Sequence, residues 1–324
     1  MREVPKIDGY NIVGLLGSGG MAKVWKARQH SLDRLVAIKI LNEQLAVKED
    51  ELAQFREEVR LAARLSHPEI VRVFDANFSG GRYYVVMELV DGYTVGQWMR
   101  RKGRLGVEDA LTVGLVVANA LSYAWNHHKM VHCDIKPDNV MVHCDGSVKV
   151  TDLGLARTFS AVREHTGDEW TTEVVGTPAY MSPEQVQGRE DLDCRTDIYS
   201  LGASLYHLIN GQLLFTDTAD NTLLHQLNDR SAPLDDHVEL GAANLRDVEL
   251  LLAKMLAKDR ARRSPDWRSV AVDMRRVLEG AMPADPFPAP AETTLGYRPE
   301  TAQFLQKINT PTSGLFHRLR RWNS

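Results

Sequence analysis

Val131-His132-Cys133-Asp134-Ile135-Lys136-Pro137-Asp138-Asn139 follows a long apolar stretch and gathers a carboxylate, an ammonium and a carboxamide between Asp134 and Asn139. Asp134 can accept a proton, Lys136 can meet a phosphate, and Asn139 can offer an oxygen to a metal. These are the groups that phosphoryl transfer requires. Thirteen residues beyond Asn139, Thr151-Asp152-Leu153-Gly154 adds a carboxylate at a strand end beside a glycine, by type an Mg2+ ligand. Each piece alone reads equally well as a turn. Their order along the chain is what carries information.

Upstream lies Gly17-Ser18-Gly19-Gly20-Met21-Ala22-Lys23-Val24, of the form GxGxxAxV, between two strand-like segments. Glycines let backbone N–H groups approach phosphates, but a hairpin turn explains this stretch about as well. A strand rather than a helix follows, which disfavours a Rossmann fingerprint, and there is no GxxxxGK[ST]. Lys39 ends the apolar run Val36-Ala37-Ile38, where a charge needs a partner or solvent. On the helix expected over 50–65, Glu58 lies nearer the apolar stripe of Leu52, Phe55, Val59 and Ala62 than Glu57 does.

Strand patterns dominate up to residue 89, at 10–16, 23–27, 35–40, 71–77 and 82–89. Helical periodicity then takes over, at about 94–101, 107–128, 195–210, 219–228, 244–257 and 266–279, interrupted by a β-like stretch at 139–151. The segment Leu111 to His128 lacks charge but carries Thr112, Asn119, Ser122 and Asn126, so it reads as a buried helix rather than a membrane span.

The chain has 324 residues, 25% charged and 44% hydrophobic, with a net charge of −4, which excludes a disordered or fibrous chain and gives no hint of nucleic-acid binding. Cys133, Cys144 and Cys194 form no CxxC pair and read as buried or half-buried thiols. MREVPKIDGY lacks an apolar signal core, so the expected location is cytoplasmic. Six of the thirteen prolines fall between Pro283 and Pro311, and residues 280–324 carry +2 against −6 for the rest. That tail reads as a linker whose Thr293, Thr294, Thr301, Thr310, Thr312 and Ser313 are accessible to phosphorylation or to phosphothreonine-binding partners. Its end, Gly314 to Trp322, mixes aromatic and basic residues that could lie on an anionic membrane surface.

Taken together with Gly176-Thr177-Pro178-Ala179-Tyr180-Met181-Ser182-Pro183-Glu184-Gln185, these motifs resemble the protein-kinase superfamily over residues 10–279, and most closely the bacterial serine/threonine kinases with the eukaryotic-type (Hanks-type) fold. The resemblance implies an α+β bilobal fold. Residues 1–9 would be an N-terminal extension, 10–89 a small β-rich N-lobe with one helix, 90–279 a larger helical C-lobe, and 280–324 a tail. It also implies ATP, Mg2+ or Mn2+, and protein substrates. Nothing in it fixes the oligomeric state.

Residue by residue, the resemblance makes Asp134 the catalytic base, brings Lys136 to the γ-phosphate, and sets Lys39 on the α- and β-phosphates, paired with Glu58. Asn139 and Asp152 would bind the metal. Leu16, Gly17, Ser18, Gly19, Gly20, Met21 and Ala22 would cover the nucleotide. Val24, Ala37 and Met141 would sandwich adenine, Met87 would be the gatekeeper, and Glu88, Leu89 and Val90 the hinge. Thr177 would bridge Asp134 and Lys136. Glu184 would pair with Arg263, and Asp197 would cap the loop that carries Asp134; these three are structural. Thr171 and Thr172 are candidate phosphosites.

The chain departs from the family pattern at three places. Ala22 replaces the third loop glycine, and Leu153 stands in the metal triplet where phenylalanine is usual. Cys133 stands where the family's arginine meets an activation-loop phosphate, and a thiol offers no bidentate cation. Activity is therefore expected to depend weakly on phosphorylation of that loop, unless another cation such as Arg157 substitutes. The rival readings are a nucleotide-binding homologue without catalysis and a small-molecule kinase. The complete set Lys39, Glu58, Asp134, Asn139 and Asp152 weighs against the first. The peptide-docking segment after Gly176 weighs against the second.

Overall fold

The computed structural model describes residues 4–19, 22–41, 56–57, 59–79, 82–153, 163–166, 169–172, 177–284 and 286–309. The N-terminal lobe is a five-stranded antiparallel sheet in the order β1-β2-β3-β5-β4, formed by Tyr10–Ser18, Ala22–Gln29, Arg34–Leu41, Arg82–Glu88 (β5) and Val73–Ser79 (β4). Strand β3 lies in the middle with both faces covered, which explains its nearly unbroken apolar sequence. The two-residue period of a strand divides those side chains. Val36, Ile38 and Ile40 join Trp25, Ala27, Tyr84 and Val86 on one face. Ala37 turns to the other, with Val71, Met87 and Val90. Helix α1 is described at residues 56–57 and 59–63, and Val59 and Ala62 are buried on it.

The C-terminal lobe is built around α3 (Val107–His128), which packs against α5 (Cys194–Asn210) and α8 (Trp267–Leu278). Its uncharged length marks a core helix: Leu111, Val117 and Leu121 are buried among Leu205 and Met274. Helix α5 is buried almost all round and meets α7 (Leu245–Met255) closely. A Cβ on Gly202 would lie 2.9 Å from that of Met255, so only glycine permits this approach. Helix α2 (Val95–Lys102) starts at a capping box of Thr94 and Gln97. A small sheet, β6-β7-β8 (Gly92–Thr94, Val140–His143, Val148–Val150), follows the N-lobe sheet and packs on α3 through β8. Strands β9 (Arg163–Thr166) and β10 (Glu169–Thr172) form a hairpin. The short α4 (Pro183–Val186) and α6 (Ala219–Asn228) complete the lobe.

The expected linker after Gly280 is corrected. Residues 286–309 pack on the C-lobe and end in α9 (Pro299–Asn309). Thr293, Thr294, Leu295, Thr301 and Leu305 are buried. Pro290 and Pro299 occupy first-turn positions, where a missing N–H leaves no hydrogen bond unmade. The segment is tied to the lobe by backbone bonds, Thr294 N to Leu256 O at 2.9 Å and Ser231 N to Thr294 O at 2.7 Å. At its start, the buried Lys254–Asp273 pair holds Ala284 through both its N–H and its C=O. Thr293, Thr294 and Thr301 are therefore not accessible acceptors. Thr310, Thr312, Ser313 and the basic end 314–324 lie outside the described residues. A smaller correction concerns Cys144, which is exposed, whereas Cys133 and Cys194 are buried.

Candidate active site

The loop after α3 is held from below. Asp197, near the start of α5 and buried, accepts the His132 N–H at 2.6 Å and the Cys133 N–H at 2.8 Å. Gln185 donates to the Cys133 carbonyl at 2.8 Å. These three anchors hold Cys133 at a φ of 67°, in the left-handed region that a non-glycine residue enters only when its surroundings enforce it. His132 Nε2 lies 2.9 Å from Thr151 O, and the Asp134 N–H donates to its Nδ1 at 3.3 Å. The ring therefore carries its proton on Nε2 and donates to the carbonyl. Thr151 N also donates to Asn139 O at 3.0 Å. The loop and the segment bearing Asp152 are thus fixed to one another.

The polar groups converge at the loop's end. Lys136 Nζ donates to Asp134 Oδ2 at 2.7 Å and to Thr177 Oγ1 at 2.8 Å. The bridge is thus Lys136, between Asp134 and Thr177, because the ammonium supplies several donors where the hydroxyl has one. Asn139 Nδ2 donates to the Asp134 backbone O at 2.7 Å and to its Oδ2 at 2.9 Å. That leaves the amide's carbonyl oxygen as the pole open to a cation. Lys39 pairs with Asp152 at 2.8 Å. Burial alone would raise the Asp152 carboxyl, yet the paired Lys39 ammonium, with Lys136 nearby, holds it below the usual carboxylate range. Asp152 has a φ of 60°, and Leu153 fills a buried apolar slot.

Above these groups, Val24, Ala37, Met87, Leu89, Val90 and Met141 form one apolar cluster between the lobes. Behind buried Met87 is a small pocket lined by Leu65, Val85 and Leu153. Glu88 is engaged by Lys149 at 3.0 Å. Leu16, Gly17 and Ser18 end β1, with Gly17 paired to Val24 and Ser18 to Lys23, and Leu16 is exposed. Gly19 N donates to Ala22 O at 2.9 Å. A Cβ at Gly17 would meet nothing within 4 Å, so the chain's own packing does not demand that glycine.

Farther from the cleft, buried Glu184 meets Arg263 in two parallel bonds of 2.6 and 2.8 Å. Thr171 and Thr172 lie on β10. Gly20, Met21, Glu58 and Arg157 lie outside the described residues. Sequence reasoning gave no role to His132 or Gln185. His132 stood in the quoted motif without a partner, since its contact with Thr151 spans 19 residues.

A family model described as Protein kinase domain matches residues 10–271. A probable serine/threonine-protein kinase of Clostridium perfringens is 34% identical over 272 residues, covering 83% of this chain and 38% of that relative. Serine/threonine-protein kinase PknB of Mycobacterium tuberculosis is 34% identical over 285 residues, covering 86% of this chain and 44% of the relative. The chain thus spans less than half the length of these curated relatives. Among solved structures, the PknI kinase domain of Mycobacterium tuberculosis superposes with a TM-score of 0.63 at 25% identity, covering 84% of this chain and 97% of that one.

Proposed function

Because the chain belongs to the protein kinase family, in its bacterial serine/threonine branch, we propose that it transfers the γ-phosphoryl group of ATP to serine and threonine hydroxyls of proteins, itself included. The observation that carries this reading is the junction of Asp134, Lys136, Thr177 and Asn139 beside the Lys39–Asp152 pair. The donor set suits a hard cation: one amide oxygen and one carboxylate held ionised, a pair that magnesium completes with phosphate oxygens and water. Mg2+, when bound there, neutralises charge on the phosphates.

The chain's own residues then divide the work. The apolar cluster of Val24, Ala37, Met87, Val90 and Met141 offers adenine two faces and excludes water. The open space over Gly17 admits phosphates to the backbone. Lys39 bears a positive charge toward the α- and β-phosphates. Asp134 accepts the proton of the attacking hydroxyl, while Lys136 beside it balances charge on the transferring group. Asn139, bonded to Asp134, keeps that carboxylate oriented.

Finer features belong to the same reading. Thr171 and Thr172 are the autophosphorylation sites. Cys133 makes activity only weakly dependent on them, because a thiol supplies no fork for a phosphate. The kinase works in the cytoplasm as a signalling enzyme, with the basic end 314–324 available to an anionic membrane surface or the residues before it to a phosphothreonine-binding partner. The test is incubation with labelled ATP and Mg2+, followed by mass spectrometry of the phosphosites, with Asp134→Asn as control. Transfer to Ser and Thr that disappears in the variant is expected. Equal labelling of the two proteins would overturn the assignment.

A further inference from the structure

The docked C-terminal segment reaches the substrate side of the cleft through an unbroken line of buried polar side chains. Thr294 Oγ1 lies 3.0 Å from the Tyr199 hydroxyl on α5. That hydroxyl donates to Oε1 of Gln226 on α6. Gln226 Nε2 in turn donates to the carbonyls of Ala179, at 3.1 Å, and Pro178, at 3.5 Å. Thr294, Tyr199 and Gln226 are each fully buried.

The donor directions are fixed. The Gln226 amide has its N–H side on the two carbonyls, so its oxygen must accept. The Tyr199 O–H must then point at Gln226, which leaves the Tyr199 oxygen to accept from Thr294. Remove the Thr294 hydroxyl and Tyr199 loses its donor in a fully buried site, where an unmet polar atom is costly. The line ends on Pro178–Ala179, the turn directly after Thr177, whose hydroxyl is bonded to Lys136.

We propose that Thr294 is a positioning residue for protein substrate: through Tyr199 and Gln226 it sets the Pro178–Ala179 turn on which the acceptor peptide docks. The inference rests on the protein-kinase reading of the site. It makes the segment after the last kinase helix a working part of substrate recognition. The line includes none of the residues assigned to nucleotide, so it acts on the peptide and leaves ATP alone.

The experiment uses the full chain and Thr294→Val, which keeps volume and removes the hydroxyl. Dephosphorylated casein is the acceptor. KM for casein rises about three- to tenfold, the worth of one buried hydrogen bond, while KM for ATP stays within about twofold. Thr294→Ser, which restores the hydroxyl, returns the casein KM to the wild-type value. Tyr199→Phe raises it similarly, and the double variant Thr294→Val with Tyr199→Phe is no worse than either alone. Hydrogen exchange reads the same link without turnover: the amides of Tyr180 and Met181 exchange faster in Thr294→Val, while those of α3 do not change. A casein KM that follows thermal stability alone, or exchange at 180–181 equal to wild type, would overturn the proposal. A wild-type protein that transfers no phosphoryl group would overturn the kinase reading instead, and the exchange comparison would still decide the link.

Discussion

Asp197 holds Cys133 by its backbone, accepting the Cys133 N–H on Oδ1 at 2.8 Å while its Oδ2 takes the neighbouring amide of His132. The thiol plays no part in this grip. A carboxylate near the start of α5 therefore sets the loop on which Asp134 sits. Asp197→Asn keeps the shape but turns one acceptor into a donor facing an N–H. The expected cost is about 1.5–3 kcal/mol of stability, with a fall in kcat of about 10²-fold as Asp134 is misplaced. Thermal unfolding and steady-state kinetics at saturating ATP check the two numbers. A variant with normal kcat would show that the loop holds its shape without this contact.

The Glu184–Arg263 pair makes a different prediction. All five guanidinium N–H groups are used: two on Glu184, and one each on the carbonyls of Ala257, Arg195 and Lys258. Arg263→Ala strands a buried carboxylate and should cost about 3–5 kcal/mol. Arg263→Lys should recover little of it, since an ammonium cannot reproduce the fork. Urea denaturation of the three proteins provides the comparison. Full recovery by lysine would mean that charge alone, not geometry, holds the lobe's base.

Much of this was legible from local pattern. The helices expected near 107–128, 195–210 and 219–228 start and end within a residue of α3, α5 and α6, because helical periodicity and the flanking Gly106, Asp193, Gly211 and Thr218 leave little choice. Strand β4 begins at Val73 rather than residue 71, where Val71 instead joins the cluster around Met87. The loop from His132 to Asn139 was legible as chemistry but not as geometry. The partners of His132 and Cys133 come from Thr151, Gln185 and Asp197, far along the chain. The tail was misread for a physical reason. Prolines signal a linker only where their missing N–H matters, and here Pro290 and Pro299 begin helical turns. Nothing local says that Gly296 must lie against Ser231, where a Cβ would come within 2.4 Å of the carbonyl.

Cys133 predicts how the enzyme responds to its own phosphorylation. A phosphothreonine on the activation segment finds no guanidinium at this position. Thr171→Ala with Thr172→Ala should therefore keep activity within about tenfold of the autophosphorylated wild type, since no bidentate Arg–phosphate contact is lost. Phosphatase treatment of the wild type should have the same small effect. A much larger loss in both would show that another cation has taken over the arginine's role.

Glu249 makes the docking of the tail depend on pH. It lies buried on α7, bonded to the Thr301 hydroxyl of α9, with the backbone of Leu234 and Arg298 close by. Burial pushes its carboxyl up to about 7, against Thr301 and Arg298, which pull it down. Tyr297, whose own hydroxyl is raised by burial and by Glu249, also faces it. The folded chain thus holds a proton here that the unfolded chain releases near 4.5. Stability from this group is present at low pH and is lost as pH rises from about 4.5 through about 7. Glu249→Gln removes the charge at constant size. It should match the wild type near pH 4 and exceed it near pH 8, by about 1–3 kcal/mol. Thermal melts across that range, with hydrogen exchange over 297–307, would show whether the gain lies in α9. A constant difference between the two proteins at every pH would mean that Glu249 stays ionised in the folded chain.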